Sequence, residues 1–407
     1  MKGYELYTLA NGIRLIHQQS AGKVAHLGII INTGSRDEAA NQHGIAHFIE
    51  HVIFKGTHKR KAYHVISRLE DVGGEIDAYT TKEETCIYAS FLKEYSSRTM
   101  ELFSDIVFNA SFPVKELEKE KEVILDEINS YKDSPAELIF DDFEEQIFDG
   151  HPIGRNILGE PNLLNTYKQT DLLHFIAENY HTDQMVICSV GDVNFNLLKR
   201  WAEKYFGQVK ANLRKERRLV LNGYKPEQKV IKKDTFQAHC ITGNRAYSID
   251  HKNRLPLELL NNILGGPGMN SRLNLALRER HGYTYNVESF YNPYSDTGIV
   301  GIYFGTEPEK VEKSLKIIKS EIQKLQTNTL GILQLERAKK QMIGQMAIGA
   351  ENLSGLMLNI GRSYLLFGKV DSLDAVYAKI QQLTAQQLIE VANEVYDYRQ
   401  LSTLTYL

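Results

Sequence analysis

The order of strands and helices predicted from the sequence occurs twice along the chain, and this repetition limits the possible folds more than any other feature. In the first half, an apolar strand (23–35) precedes two helices (44–57 and 63–74) and a pair of strands. In the second half, the same order begins at the strand FQAHCITGNRA. The offset is about 211 residues, which aligns the helix around His47 with the helix around Glu258. The sequence therefore predicts an α+β fold made of two similar domains.

The repeat also predicts the domain boundaries. Residues 1–212 form the first predicted domain, 213–228 a linker and 229–407 the second domain. Each domain is expected to be an α/β sandwich, with helices packed on a mostly antiparallel sheet. Four basic side chains cluster near the start of the linker, at Arg214, Lys215, Arg217 and Arg218. A solvated linker explains them better than a nucleic-acid-binding surface, because no aromatic residues are interleaved with them.

Composition and charge exclude several classes of partner. Hydrophobic residues make up 42% and charged residues 24% of the 407 residues, which is ordinary for globular domains. A formal net charge of -3 gives no reason to expect nucleic acid or an anionic membrane as a partner. No apolar run approaches the roughly 20 residues of a membrane-spanning helix, and the N-terminal segment lacks the layout of a signal peptide. Three widely separated cysteines indicate a reducing compartment, so a cytoplasmic location is expected.

The pentapeptide HFIEH, residues 47–51, is a candidate metal-binding motif. On a helix, His47 and His51 lie about 40° apart on one face, so two imidazoles can point at one ion. Glu50 lies about 60° from His47 on the other side and can reach a water molecule on that ion. This HxxEH arrangement occurs in zinc proteases. The alternative is a helix whose histidines face solvent or satisfy core hydrogen bonds, since a catalytic zinc ion needs three protein ligands and the motif supplies two.

A third ligand is expected on the acidic helix predicted at 115–135. Most of its glutamates should form a solvated face, as charge runs on helices usually do. Glu127 differs because it follows the apolar run VIL, and Glu120 lies seven residues earlier on the same face, after two turns. These two carboxylates could therefore face one site together.

These residues resemble the motif of the pitrilysin-like, or inverzincin, metallopeptidases of family M16. In that family, HxxEH is followed after about 75 residues by a glutamate ligand, with another glutamate seven positions earlier. Here Glu127 lies 76 positions after His51. The resemblance covers nearly the whole chain, and its length is similar to that of the mitochondrial processing peptidase subunits. It implies that His47, His51 and Glu127 bind one zinc ion per active site, with Glu120 as an accompanying acid.

The resemblance also implies how the site would work. Glu50 is the expected general base in peptide hydrolysis by a water molecule on the zinc ion. The block GGPGMNSRLNLALRERHGYTYNV resembles the C-terminal block of the family, in which an arginine and a tyrosine stand seven positions apart. Arg278 and Tyr285 fit that spacing, which is why Tyr285 is preferred to Tyr283. Tyr285 would donate to the developing oxyanion, and Arg278 would hold a substrate carbonyl or carboxylate.

The predicted strand GEIDAYT, residues 74–80, is a candidate substrate-binding edge. An extended peptide would add to it through backbone hydrogen bonds at Asp77, Ala78 and Tyr79, with little demand on its sequence. Relatives often have asparagine where this chain has Asp77. The expected substrates are therefore unfolded peptides of varied sequence.

The expected function is a zinc-dependent endopeptidase acting on unfolded peptides or oligopeptides inside an enclosed chamber. The resemblance implies a clamshell of two halves, and it implies pairing with a second copy or with a paralogue of the same family. One alternative is a non-catalytic scaffold or recognition subunit of a heterodimer, although such relatives usually have broken ligand sets. Another is a zinc hydrolase of small molecules, which would turn over esters or amides but leave peptides intact.

Overall fold

The structure is a computed structural model that describes residues 3–215, 218–221, 223–233 and 235–407. Its strands form two separate sheets. The strands are β1 (Glu5–Thr8), β2 (Arg14–Gln19), β3 (Val24–Ile31), β4 (Glu75–Thr80), β5 (Thr85–Leu92), β6 (Met185–Gly191), β7 (Gln228–Ile231), β8 (Ala238–Ala246), β9 (Thr284–Pro293), β10 (Gly298–Thr306) and β11 (Ser402–Tyr406).

Helices lie between the strands in both halves. They are α1 (Ile45–Val52), α2 (Ala62–Glu70), α3 (Ser96–Phe108), α4 (Val114–Lys132), α5 (Pro135–Ile147), α6 (Pro161–Leu164), α7 (Gln169–Asn179), α8 (Phe195–Phe206), α9 (Arg254–Gly265), α10 (Val311–Thr327), α11 (Ile332–Ala350), α12 (Leu353–Phe367), α13 (Leu373–Gln381) and α14 (Ala385–Val395). The predicted second helix of the second half is a π-helix, Asn274–Arg280. None of the helices in the described residues is long and apolar enough to span a membrane.

The first sheet has the strand order β1-β2-β6-β3-β5-β4. All neighbouring strands are antiparallel except β2 and β6, which run parallel. Every residue of β6 is buried, as is most of β3, because helices cover both faces of the sheet at its centre. The continuous apolar run LGIII of β3 is the sequence signature of this burial.

The second sheet repeats this topology. Its order is β7-β11-β8-β10-β9, again with one parallel pair, β7 and β11, and antiparallel neighbours elsewhere. Each strand of the second sheet thus has a counterpart in the first, and β1 is the additional strand of the first sheet. The predicted α+β fold of two similar domains with mostly antiparallel sheets is confirmed.

The chain divides into two compact units that each contain one sheet. Unit 1 comprises residues 1–128, 155–219 and 348–372, and unit 2 comprises 129–154, 220–347 and 373–407. Residues 129–154, which include α5, thus belong with the second sheet, and residues 348–372, which include α12, belong with the first. The units do not coincide with the predicted boundaries at 212/213 and 228/229, because each half of the chain contributes one helix to the other half's unit.

Helix α12 covers the face of the first sheet that is turned away from α1. Its Met357 and Ile360 pack with Cys188 of β6 in a buried apolar cluster. Two glycines allow the close approach: a Cβ atom on Gly28 would lie 2.9 Å from the Met357 sulfur, and one on Gly361 would lie 2.7 Å from Cys188 Sγ. The helix and the sheet therefore meet through surfaces that leave no room for a methyl group.

Helix α5 covers one face of the second sheet within unit 2. Its Ile139, Phe143 and Ile147 pack against the strands in an apolar cluster that includes Ile241 and Leu404. The opposite face of the second sheet carries the larger cluster formed with α9, α10 and α14. Both sheets are therefore covered on both faces, which explains their long buried strands.

The basic segment after α8 is held within unit 1 by ion pairs. Arg214 Nη2 lies 2.7 Å from Asp37 Oδ1, and Arg218 Nη2 lies 2.8 Å from Asp37 Oδ2. Burial alone would raise the pKa of Asp37, but the two guanidinium groups lower it below its ordinary value. Arg217 lies outside the described residues. Two of the four basic residues considered for a nucleic-acid surface are thus neutralised inside the protein.

Substitution of Gly361 by alanine tests the packing of α12. We expect Gly361→Ala to lower the free energy of unfolding by about 1–3 kcal/mol, because the methyl group overlaps Cys188. The matched control is Gly344→Ala in α11, where a Cβ atom meets nothing within 4 Å. It should raise stability by about 0.5–1 kcal/mol, since alanine favours the helix. Equal stability of the two variants in urea denaturation would contradict this packing.

Candidate metal centre

Helix α1 presents the HFIEH motif because its other side is buried. An isolated helix of eight residues is not stable in water, so packing rather than intrinsic propensity holds it. The residues of α1 that join the main core of unit 1 are Ile45, Ala46, Phe48, Ile49 and Val52. The positions left over on the opposite side are those of the two histidines and the glutamate of the motif.

Glu38 fixes the start of this helix. Its carboxylate accepts hydrogen bonds from the N–H groups of Gly44 and Ala46, both at 2.9 Å. Burial raises the pKa of Glu38 to about 8, although these two hydrogen bonds act in the opposite direction. Gly44 has φ of 92°, and a Cβ atom there would lie 2.7 Å from the Cα of Gly159. The backbone immediately before His47 is therefore held by a side chain and by close backbone packing.

The three predicted ligands lie together within unit 1. His47 Nε2 is 3.6 Å and His51 Nε2 is 3.2 Å from the same oxygen, Oε2 of Glu127 on α4. One donor atom from each residue lies within 4.8 Å of the others. Nitrogen and oxygen ligands about 2.1 Å from a tetrahedral zinc ion lie about 3.4 Å apart, so these separations fit a shared ion.

The hydrogen bonding of His47 also fits a metal ligand. The ring is buried, its Nδ1 has no hydrogen-bond partner among the described residues, and its Nε2 is too far from Glu127 for a good hydrogen bond. Burial and the nearby ring of His51 lower the pKa of His47 to about 3. A neutral imidazole that keeps a free lone pair is the form that binds zinc, so the residues present fit the ion.

Glu120 and Lys55 orient the second histidine. Glu120 Oε2 lies 3.3 Å from Nδ1 of His51, and Glu120 Oε1 lies 2.6 Å from Nζ of Lys55. A carboxylate at Nδ1 holds the imidazole with its Nε2 toward the ion, an arrangement frequent around zinc. The sequence predicted that Glu120 accompanies the ligands, and in the structure its carboxylate lies beside the ring of His51. Lys55 was missed, because it lies beyond the end of α1 and its contact with Glu120 depends on tertiary packing.

Glu50 lies beside these residues and contacts the first sheet through Thr80 of β4. Burial raises the pKa of Glu50, and the carboxylate of Glu127 adds to this effect, whereas hydrogen bonds with Thr80 and the charge of His51 oppose it. A half-buried carboxylate that is readily protonated suits a group that accepts and returns a proton. Thr80 was not predicted, because its contact with α1 depends on tertiary packing.

The candidate substrate strand is the outer strand of the first sheet. Asp77 Oδ1 accepts a hydrogen bond from the N–H of Ala78 at 2.8 Å, and Asp77 Oδ2 accepts one from the hydroxyl of Tyr88 at 3.0 Å. Tyr79 donates to Glu84 at 3.0 Å, and Glu84 is paired with Arg362 of α12. The strand thus has an open edge, but Asp77 and Tyr79 already have partners within unit 1.

Arg278 and Tyr285 lie in unit 2, on the π-helix and on β9. The Arg278 guanidinium lies 5.1 Å from the centroid of the Tyr285 ring, and Tyr285 is 82% exposed. Both line a cavity of about 280 Å³ with the glycine-rich segment 265–268. The two residues therefore form one exposed pair beside an open cavity, which a π-helical turn helps to shape. Their predicted roles toward a substrate stay predictions.

The second half carries no counterpart of the motif. The offset of 211 residues places Glu258, Asn261 and Asn262 of α9 at the positions of His47, Glu50 and His51. Within the part of the chain that the structure describes, the group of His47, His51 and Glu127 is the one cluster with metal-ligand geometry. The two units thus share a topology but differ in their chemistry.

Two family models match the chain. Residues 14–161 match the model described as Insulinase (Peptidase family M16), and residues 167–342 match the model described as Peptidase M16 inactive domain. The first match contains His47, His51 and Glu127, and the second contains Arg278 and Tyr285.

Similar proteins support the same assignment. The chain is 31% identical to the uncharacterized zinc protease YmxG of Bacillus subtilis, over 96% of this chain and 95% of the relative. It is 30% identical to an uncharacterized zinc protease of Rickettsia bellii, over 97% and 95% of the two chains. Among solved structures, a protease from Helicobacter pylori superposes with a TM-score of 0.91 at 22% identity, and each chain is covered in full. A peptidase M16 inactive domain from Pseudomonas fluorescens superposes with a TM-score of 0.92 at 19% identity, covering 100% and 98% of the chains. At these identities, the two structures show the shared fold.

Replacement of Glu127 by glutamine tests the metal centre directly. We expect wild-type protein to bind about one zinc ion per chain and Glu127→Gln to lose most of it, because three ligands become two. The matched control is Glu122→Gln, an exposed residue on the same helix that should keep its zinc. The measurement is metal analysis after dialysis against a weak chelator. Equal zinc content in the two variants would remove Glu127 from the site.

Proposed function

Because the chain belongs to the M16, or insulinase, family of peptidases, we propose that it is a zinc-dependent endopeptidase that hydrolyses unfolded peptides or oligopeptides. The observation that carries the proposal is the convergence of His47, His51 and Glu127. Glu50 lies beside them, on the helix that carries the two histidines. Three protein ligands leave a fourth position for water or substrate, which is the pattern of catalytic rather than structural zinc sites.

A zinc ion held by these ligands would polarise the scissile carbonyl and make a water molecule reactive near neutral pH. Glu50 accepts the proton of the attacking water and passes it to the leaving amine. Its raised pKa, caused mainly by burial, suits the return of that proton. Glu120 and Lys55 keep the ring of His51 in one orientation throughout.

Substrate binding would use the open edge of β4. An extended peptide that adds to this edge by backbone hydrogen bonds would lie next to Thr80, which contacts Glu50. The N–H of Ala78 donates a hydrogen bond to the carboxylate of Asp77. A substrate carbonyl would therefore have to displace this carboxylate to accept that hydrogen bond. Recognition through backbone groups makes little demand on sequence, which favours unfolded peptides of varied composition.

Arg278 and Tyr285 are further candidates for substrate binding. We propose that the Tyr285 hydroxyl donates a hydrogen bond to the oxygen of the tetrahedral intermediate and that Arg278 holds a substrate carbonyl or carboxylate. Their proximity supports a joint role, because the guanidinium lies over the ring of Tyr285 at cation–π distance. We further propose that the chain pairs with a second copy of itself, or with a paralogue, around a chamber. A cytoplasmic location is also part of the proposal.

The second candidate is a non-catalytic scaffold or recognition subunit of a heterodimer. The name of the model that matches residues 167–342 describes an inactive domain, which agrees with the absence of the motif from α9 in the second half. The complete ligand set in unit 1 favours catalysis by this chain. Normal folding with a zinc content near zero in the wild-type protein would favour the scaffold.

Glu50→Gln separates catalysis from metal binding. We expect kcat for cleavage of an unstructured peptide mixture to fall by about 10²–10⁴-fold, because proton transfer to and from the water loses its base. Zinc content should stay at the wild-type value, since Glu50 is not one of the three ligands. Mass spectrometry of the products measures the cleavage, and undiminished cleavage by the zinc-loaded variant would exclude Glu50 as the base.

Tyr285 and Tyr283 of unit 2 provide a second comparison. We expect Tyr285→Phe to lower kcat by about 10²–10³-fold with unchanged zinc content, because the variant loses one hydrogen-bond donor to the oxyanion. Tyr283→Phe is the matched control, because it removes a hydroxyl two residues away and should leave kcat within about twofold. If the two variants behave alike in steady-state kinetics, Tyr285 has no special role.

A further inference from the structure

The surroundings of helix α8 in unit 1 define a corresponding place in unit 2, because the two sheets correspond strand for strand apart from β1. In unit 1, α8 follows β6 in the chain and packs against α3 and β2. The counterparts of β6, α3 and β2 in unit 2 are β11, α10 and β7. The place that corresponds to α8 therefore lies beside α10 and β7.

A cavity of about 760 Å³ lies at this place. It is bordered by α10 on one side and by residues of β7, β8 and β11 on the other. Its apolar wall is formed by Leu315, Ile318, Ile322 and Leu401. This volume lies within the range of about 300–1,000 Å³ found for small-molecule sites in proteins.

Two lysines border the cavity without carboxylate partners. Lys316 and Lys319 are exposed on α10, and neither forms an ion pair with a described residue. Lys319 Nζ lies 3.6 Å from the centroid of the Tyr398 ring, which also borders the cavity. Glu312 is the single acidic residue of the lining, so the local charge is positive. This charge favours an anionic group on the ligand.

We propose that unit 2 binds a small amphiphile at this cavity, a molecule with an apolar body and one anionic group, such as an alkyl carboxylate or an alkyl phosphate. The apolar body contacts the wall formed by α10 and Leu401. The anionic group faces Lys316 and Lys319. The site lies wholly in unit 2 and is separate in sequence from the metal ligands, so the proposal is independent of peptidase activity.

Isothermal titration calorimetry on the zinc-loaded protein tests this site. The probes are decanoate and monodecyl phosphate below their micelle concentrations, with decyltrimethylammonium as the charge control. We expect saturable one-site binding of at least one anion and no binding of the cation. The tighter anion identifies the head group as a carboxylate or a phosphate. Absence of saturable binding of both anions, or equal binding of the cation, would overturn the proposal.

Substitutions locate the bound probe. The double variant Lys316→Glu, Lys319→Glu should bind about tenfold more weakly, which corresponds to the loss of two exposed charge contacts. Lys313→Glu is the matched control, because Lys313 is exposed on the same helix but does not line the cavity. It should bind like wild type. An equal loss of affinity in both proteins would place the anion elsewhere and contradict the site.

Two further variants separate binding from folding. Leu315→Trp and Ile322→Trp should each fill the cavity and abolish binding, and circular dichroism selects the variant that folds. Undiminished binding by a folded tryptophan variant would exclude the cavity.

Discussion

The burial of one side of α1 is the constraint on which the candidate centre depends. Five of its eight residues join the core of unit 1, and each large apolar side chain so buried contributes roughly 1.5–3 kcal/mol. Since the helix is too short to persist alone, this burial both forms it and sets its rotation. The rotation then decides that both histidines and Glu50 face away from the core. Glu38 completes the support by binding the N–H groups at the start of the helix.

A second helix has to be placed correctly for the ligand set to be complete. Glu127 comes from α4, and the same helix sends Glu120 to His51 and Lys55. Two separate contacts therefore join α4 to the metal helix, one through the donor atoms and one through the neighbouring ion pair. This double attachment keeps the ligand distances short even though Glu127 itself is partly exposed. Preorganisation of this kind lowers the free-energy cost of collecting the ligands around an ion.

The duplicated architecture shows how one topology can support different chemistry. Each sheet has one parallel pair, antiparallel neighbours and a helix on each face. In unit 1, the first helix after the long central strand carries two of the three donors. In unit 2, the same helix carries Glu258, Asn261 and Asn262 at those positions, and the exposed features are instead the Arg278 and Tyr285 pair and the cavity beside α10. The fold itself is therefore compatible with both kinds of surface, and the side chains decide the function.

The sequence by itself determined the two-domain α+β fold, the helix at HFIEH and the common helix face of Glu120 and Glu127. These features follow from periodicity and from spacing along single helices. It also indicated the family, through motifs that are local in the chain. Only the tertiary structure decided that α5 and α12 belong to the unit of the other half, and that Glu38, Lys55 and Thr80 support the centre. The cavity beside α10 also depends on tertiary packing. These features depend on contacts between residues far apart in the chain, and such contacts leave no periodic pattern in the sequence.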